Sequence, residues 1–404
     1  MSAPVPHGDL ETHLAAFQRG CVDLIEEKQL RKLLERSLSS GKPLRIKFGM
    51  DPSSADLHLG HAVQLRRLRD LQDLGHQIVL IVGDATAMVG DPSGKSKLRP
   101  VLTRAQVDAN LATYVEQAAR VLDMERTEVR RNSEWFDSMG FEGMLQLTTR
   151  MTVAQMIERD TFQTRMEAGE PIGINEFLYP LMQGWDSVQI ACDVELGGTD
   201  QLFNLLVGRR LQEQMEQMPQ VVFTGPLING LDGRKMSKSY GNAIGLLDDA
   251  KTMTFGVMRL DDDAMETWFV QLTRIATSEI ADLLKGHPRE AKARLAAEIT
   301  TFFHGADAAV EAAAAFNSEV RDKQLPDDIA ECGWGAGWGE SLPLANLLKE
   351  MGLASTTSDA RRAAKQGGVK LDGVAETDPT AAIARPDAPI LIQVGKKRIA
   401  RLVP

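Results

Sequence analysis

The chain has 404 residues, enough for two or three domains with at least one sizeable core. Apolar residues make up 43% and charged residues 25%, as in a globular chain, and the longest clean apolar run, Ile78 to Val82, is far too short to cross a bilayer. The net charge of −10 is unevenly spread: from Leu342 to Pro404 ten Lys/Arg face six Asp/Glu, so that segment carries +4 and the rest −14. An acidic body with a basic end implies that only part of the molecule touches a polyanion. Cys21, Cys192 and Cys332 lie far apart, which argues against a disulfide framework or a zinc knuckle and for a reducing, cytoplasmic setting. The acidic N-terminus has no apolar core segment and does not read as a secretory signal.

In chain order, the first forty residues read as helix. Leu44–Phe48 alternates as a strand ended by Gly49, and helical spacing follows from Leu57 to Leu74, with Gly75 as its stop. Gln77–Gly83 is a second, apolar strand, and Asp84–Pro100 a Gly/Pro-rich loop. Thr103–Leu122 reads as helix, Glu128–Trp135 as a third strand, Asp193–Leu196 as a fourth, Thr199–Gln217 as helix and Val221–Ile228 as a further strand. Strand–helix–strand order at this spacing predicts a Rossmann-like, doubly wound parallel sheet over residues 1–245. Residues 246–325 form a helical, alanine-rich region. The Gly333-Trp-Gly-Ala-Gly-Trp-Gly339 stretch marks a linker over 326–341, and a small basic α+β domain occupies 342–404.

Two clusters carry chemistry. Asp51-Pro-Ser-Ser-Ala-Asp-Leu-His-Leu-Gly-His61 joins the first strand to the first helix, with Asp56 as expected N-cap. His58 and His61, three apart, share a face in the opening turns, where free N–H groups and partial positive charge suit a phosphate. Gly60 leaves room for a flat base against the backbone. Alone, such a pair reads more readily as two histidines on a helix surface or binding a metal. The second cluster, Gly230-Leu-Asp-Gly-Arg-Lys-Met-Ser-Lys-Ser239, follows an apolar strand. Its glycines permit movement, and Lys235 and Lys238 can close on phosphates as charge develops. Alone, it also fits a solvated basic loop. Gly90-Asp-Pro-Ser-Gly-Lys-Ser96 invites a phosphate-loop reading, but Val89 stands where that pattern needs glycine.

A third segment, Glu176-Phe-Leu-Tyr-Pro-Leu-Met-Gln-Gly-Trp-Asp186, puts Tyr179, Gln183 and Asp186 on one polar stripe if helical, and Gly197-Gly-Thr-Asp-Gln201 joins a strand to a helix. The ordered pair His58-Leu-Gly-His61 and Lys235-Met-Ser-Lys-Ser239 resembles the two nucleotide-binding motifs of class I aminoacyl-tRNA synthetases, usually written HIGH and KMSKS. With the stripe and the Gly-Gly-Thr-Asp-Gln turn, the chain from about Leu44 to Ile244 resembles the tyrosyl-tRNA synthetases. The resemblance implies catalytic roles for His58, His61, Lys235 and Lys238. It implies ATP contacts from Asp51, Ser53, His58, Gly60, His61, Gly198, Asp200, Lys235, Met236 and Lys238. It implies tyrosine contacts from Lys47, Gly49, Asp91, Tyr179, Gln183, Asp186 and Gln201: Asp91, Tyr179 and Gln183 hold the ammonium group, and Asp186 accepts the phenol proton. Lys95 and Arg99 match loop residues that approach the leaving phosphates.

One position departs from much of the family: Lys47 stands where many members carry a tyrosine that donates to the substrate phenol. The chain is similar to the bacterial subgroup with lysine there, and Lys47 is expected to neutralise Asp186 or orient a water near it, or else to point to solvent. At the C-terminus, Leu342-Pro-Leu-Ala-Asn-Leu-Leu348, Ala360-Arg-Arg-Ala-Ala-Lys-Gln-Gly-Gly-Val369 and the Gly395-Lys-Lys-Arg398 ending resemble the small RNA-binding fold first known from ribosomal protein S-four. Arg361, Arg362, Lys365, Lys396, Lys397 and Arg398 are the expected RNA contacts. The resemblance as a whole implies tyrosine, ATP with Mg²⁺ and tRNA(Tyr) as ligands, a homodimer, no resident metal and no membrane contact. The rivals are a tryptophanyl synthetase, another nucleotidyltransferase with an H-x-G-H helix, and a non-catalytic RNA-binding paralogue.

Overall fold

The computed structural model describes residues 4–52, 56–93, 103–237, 240–321, 329–395 and 398–404. The chain divides into two units, Met1–Ala313 and Ala314–Pro404. The first carries α1 (Leu10–Gln18), β1 (Asp23–Ile25), α2 (Glu27–Ser40), β2 (Arg45–Met50), α3 (Leu59–Asp73), β3 (Gln77–Val82), α4 (Arg104–Ala118), β4 (Thr127–Arg131) and α5 (Ser133–Thr148). It continues through α6 (Val153–Ile157), α7 (Asp160–Glu167), α8 (Leu178–Gln189), β5 (Val194–Gly198), α9 (Leu202–Gln214), β6 (Val221–Gly225), α10 (Ala250–Val257), α11 (Met265–Leu272), α12 (Thr277–Lys285) and α13 (Pro288–His304). The division falls within α14 (Ala306–Phe316).

The sheet runs β1–β6–β5–β2–β3–β4, parallel except for β1, which pairs antiparallel at the edge. Ile78 to Val82 are all buried, as a central parallel strand covered by helices on both faces requires. The chain leaves β2 for β3 on one side and returns to β5 on the other. That reversal opens a crevice at the carboxyl ends of β2 and β5, where open α/β sheets bind ligands.

Several expectations shift. The stretch read as continuous helix over the first forty residues contains β1, whose three residues are too few to show a period. The third strand ends at Arg131, and Trp135 lies in α5. α3 opens at Leu59 with His58 as N-cap, not with Asp56. The cause is tertiary: Leu59 N donates to Ile244 O (2.9 Å) and Leu246 N to Leu57 O (3.1 Å), which holds residues 57–59 extended against the segment after the lysine loop. The region from residue 246 is helical as expected but shares the core of the sheet domain: Met253, Trp268, Phe269, Leu295 and Ile299 join one cluster with Leu14, Phe17, Leu65 and Phe223.

The second unit has β7 (Glu331–Gly333), β8 (Ser341–Pro343), α15 (Leu344–Glu350), α16 (Thr357–Lys365), β9 (Val369–Leu371), β10 (Val374–Ala375), β11 (Ala382–Ala384), β12 (Ile390–Val394) and β13 (Arg398–Val403). They form a five-stranded sheet, β10–β9–β12–β13–β7, and a two-stranded one, β11–β8, around Leu344, Leu347, Leu348, Ala360, Val369, Ile392 and Leu402. The linker expected over 326–341 is therefore partly folded. Its glycines read as coil, but β7 pairs parallel with β13, and Trp334 and Trp338 meet edge to face at 5.4 Å and cover the unit's core.

Candidate active site

A cavity of about 810 Å³ opens at the carboxyl ends of β2, β3, β5 and β6. That is within the usual range of small-ligand sites, roughly 300–1,000 Å³. Its wall includes Gly49 near the end of β2 and Asp51 after it, His58, Gly60 and His61 at the start of α3, and Asp91 in the loop after β3. Tyr179, Gln183 and Asp186 come from α8, Gly198, Asp200 and Gln201 from the end of β5, and Lys235 and Met236 from the lysine loop. Sequence reasoning named all of these, and the fold brings them together. Ser53, Lys95, Arg99 and Lys238 lie outside the described residues.

At one end, the opening of α3 faces the lysine loop. The His58 and His61 rings meet tilted, centroids 4.1 Å apart, and His58 N donates to His61 Nδ1 (3.2 Å), which places the His61 proton on Nε2. Burial, with His58 and Lys235 nearby, pushes His61 down to about 3, so it serves as a neutral donor rather than a cation. Gly60 is required by close approach: a Cβ there would come within 2.9 Å of the His58 ring. Met236 Sδ already sits 3.2 Å from Gly60 N, so the backbone face expected to meet a flat base is met by sulfur. Lys235 Nζ lies 3.6 Å from Asp200, whose pKa burial raises. The loop is pinned by buried Asn242, which accepts from Ser237 N (2.8 Å) and donates to Asp232 (2.6 Å).

At the other end the polar groups are mostly acceptors. α8 begins at Leu178, so Pro180 falls in the first turn, where no N–H is needed, and the stripe Tyr179–Gln183–Asp186 points inward unkinked. Asp186 accepts from Trp135 Nε1 (2.9 Å) and Asn132 Nδ2 (3.4 Å). Burial pushes it up to about 7, against the pull of Lys47 and those two donors. Asp51, expected among the ATP contacts, accepts from Tyr179 Oη and Thr86 Oγ1 (both 2.8 Å), and burial also pushes it up to about 7. Asp91 accepts from Gln201 Nε2 (2.8 Å) and from Ser93.

Lys47 is corrected. It neither lines the cavity nor reaches solvent: its Nζ bonds Glu195 (2.9 Å), Gln183 O (2.7 Å) and Ser187 Oγ (2.8 Å), fully buried. Asp186 takes its direct donors from Trp135 and Asn132 instead. Sequence reasoning missed those two residues, together with Thr86, Glu195 and Asn204. The signal for Glu195 was present: one acid in Val194-Glu-Leu196 and one base in Ile46-Lys-Phe48, each inside an apolar run, are what a cross-strand pair looks like. In the second unit Arg361, Arg362, Lys365 and Arg398 are exposed, Arg362 and Arg398 each 3.0 Å from Asp359, while Lys396 and Lys397 fall outside the described residues.

Residues 39–321 match the model of the class I tRNA synthetases for tryptophan and tyrosine, and residues 342–380 match the S4 domain. The tyrosine–tRNA ligase of Cupriavidus pinatubonensis is 47% identical over 396 residues, 96% of this chain and 94% of that one. That of Desulfotalea psychrophila is 44% identical over 401 residues, 98% of both. The chain belongs to the tyrosine–tRNA ligase family of class I synthetases. Among solved members, the tyrosyl-tRNA synthetase of Archaeoglobus fulgidus, complexed with L-tyrosine, shares the fold at a TM-score of 0.60 and 20% identity, over 76% of this chain and all of that one. A C-terminally truncated mitochondrial member from Aspergillus nidulans does so at 0.62 and 24%, over 76% of this chain and 92% of that one.

Proposed function

We infer that the chain activates L-tyrosine with ATP and transfers the tyrosyl group to tRNA(Tyr). The observation that carries this is one cavity with a buried carboxylate, Asp186, at its acceptor-rich end and a helix opening with Lys235 at the other. In the first step a tyrosine carboxylate oxygen attacks the α-phosphorus of ATP. The bond to the bridging oxygen breaks, and pyrophosphate leaves with the electron pair. Asp186 takes the phenol hydrogen bond, and Asp91, Gln183 and Tyr179 the ammonium group. His61 donates through Nε2–H, and Lys235 with Lys238 neutralises charge developing on the phosphates. In the second step a hydroxyl of the tRNA 3′-terminal adenosine attacks the tyrosyl carbonyl, and AMP leaves. Mg²⁺ enters bound to the ATP phosphates, its usual mode with nucleotides.

Phenylalanine would leave Asp186 buried without the phenol partner, which disfavours it. We assign ATP and tyrosine to residues 1–245, and tRNA to 246–325 and to the basic domain at 342–404. A homodimer is supported by Phe141 and Leu145, exposed one turn apart on α5, large apolar side chains of the kind that mark interfaces. No helix among the described residues is long and apolar enough to cross a membrane, and a cytoplasmic site of action fits the three free cysteines. Charging of a bacterial tRNA(Tyr) transcript with labelled tyrosine, ATP and Mg²⁺ tests the reading. Acid-precipitable, alkali-labile tyrosyl-tRNA is expected, and none under conditions where the adenylate forms would contradict it.

A further inference from the structure

Behind the cavity, β2 and β5 set Lys47 and Glu195 directly opposite each other, and their charges meet at 2.9 Å with neither side chain exposed. Glu195 takes four donors: Lys47 Nζ and Gln183 Nε2 (3.2 Å) on Oε1, and Ser187 Oγ (3.0 Å) and Gln220 Nε2 on Oε2. An ionised carboxylate offers about four acceptor positions and no proton, so this one is saturated. Gln183 must therefore turn its nitrogen to Glu195 and its oxygen away, toward Asn204 Nδ2 (3.0 Å). Asn204 Nδ2 also donates to Gln201 Oε1 (2.9 Å), and Gln201 Nε2 donates to Asp91 (2.8 Å). Three amides, each free to flip in isolation, are thus locked between two carboxylates that only accept.

We propose that Glu195, paired with Lys47, is a positioning residue that holds the Gln183 carboxamide oxygen toward the cavity, where with Asp91 it recognises the ammonium group of the amino-acid substrate. The inference rests on the tyrosine-activation reading. The Gln183 oxygen has two lone pairs and Asn204 uses one; the other is left for a cation. An amide turned the other way would point N–H at that cation and repel it. Glu195 touches no substrate; at Asp186 its charge and that of Lys47 act in opposite senses, so removing both together bears chiefly on the ammonium.

The test pairs two probes that differ at one group. Tyramine keeps the ammonium and lacks the carboxylate; 3-(4-hydroxyphenyl)propionate keeps the carboxylate and lacks the ammonium. Glu195→Gln alone strands a buried lysine and risks misfolding, so Lys47→Met with Glu195→Gln is measured beside it. In tyrosine-dependent ATP–pyrophosphate exchange the double variant is expected to raise KM for tyrosine and Ki for tyramine about tenfold, with kcat within about twofold and Ki for the propionate unchanged. Equal weakening of both probes would mean general damage to the cavity and overturn the proposal, as would no weakening of tyramine. Wild-type protein without tyrosine-dependent exchange overturns the parent reading instead, and this one with it.

Discussion

Asp186 is buried among donors yet pushed up to about 7, because burial outweighs Lys47, Trp135 and Asn132. Unfolded, an aspartate titrates near 3.8, so the raised folded value favours the folded chain when protonated. This contribution is full below about 3.8 and is lost as pH rises through 7. Asp186→Asn should therefore gain stability relative to the parent between pH 5 and pH 8, read as the difference in urea midpoints. The same change should lower kcat/KM for tyrosine by roughly 10- to 100-fold and erode discrimination against phenylalanine, the loss expected for a hydrogen bond to a buried charge. A variant that keeps full discrimination would remove Asp186 from the phenol, and one whose relative stability is flat with pH would contradict its raised pKa. Asp186 was legible in the sequence as one of three residues at helical spacing. Its donors were not: Asn132 and Trp135 flank the start of α5, and only the packing of α5 against α8 brings them over.

At the scale of elements, the approach of α8 to α9 fixes where the stripe points. A Cβ at Gly184 would lie 3.0 Å from Gly208 N and 3.1 Å from its Cα, so the two helices touch backbone to backbone. Gly184→Ala should push them apart, costing about 1–3 kcal/mol and moving Gln183 and Asp186 on either side of it. On the proposed reading KM for tyrosine should rise while KM for ATP holds, since the expected ATP contacts come from α3, the end of β5 and the lysine loop and not from α8. A second tight spot is the turn after β3, where a Cβ at Gly83 would fall 1.9 Å from Asp51 Oδ1. Gly83→Ala should displace Asp51 and with it the Tyr179 bond, measurable as lowered exchange and thermal stability together. The helices and central strands were readable because their apolar periods are long. The start of α3 was misplaced because residues 244–246 hold it back, a long-range pairing no local window contains.

At the scale of the molecule, two units with separate cores carry opposite charge tasks. Arg362 and Arg398 share Asp359, which halves what that pair offers an RNA phosphate; Arg361 and Lys365 are exposed on α16. Arg361→Glu with Lys365→Glu should raise KM for tRNA about tenfold and make charging less sensitive to salt, the slope falling by about one per lost phosphate contact. ATP–pyrophosphate exchange should not change, and a parallel loss there would contradict the division of labour. The sheet domain and the basic end could be told apart from composition alone. The shared core of sheet and helical region could not, because it gathers residues more than two hundred apart, such as Phe17, Trp268 and Phe269, into one cluster.

A single cavity that takes a phenol-bearing amino acid beside a nucleotide and joins them has a signature that one assay reads. ATP–pyrophosphate exchange with the purified full chain, run separately with tyrosine, tryptophan and phenylalanine, addresses it most directly. Exchange with tyrosine, and little or none with the other two, is the result predicted. Exchange driven by tryptophan, or by no amino acid, would contradict it.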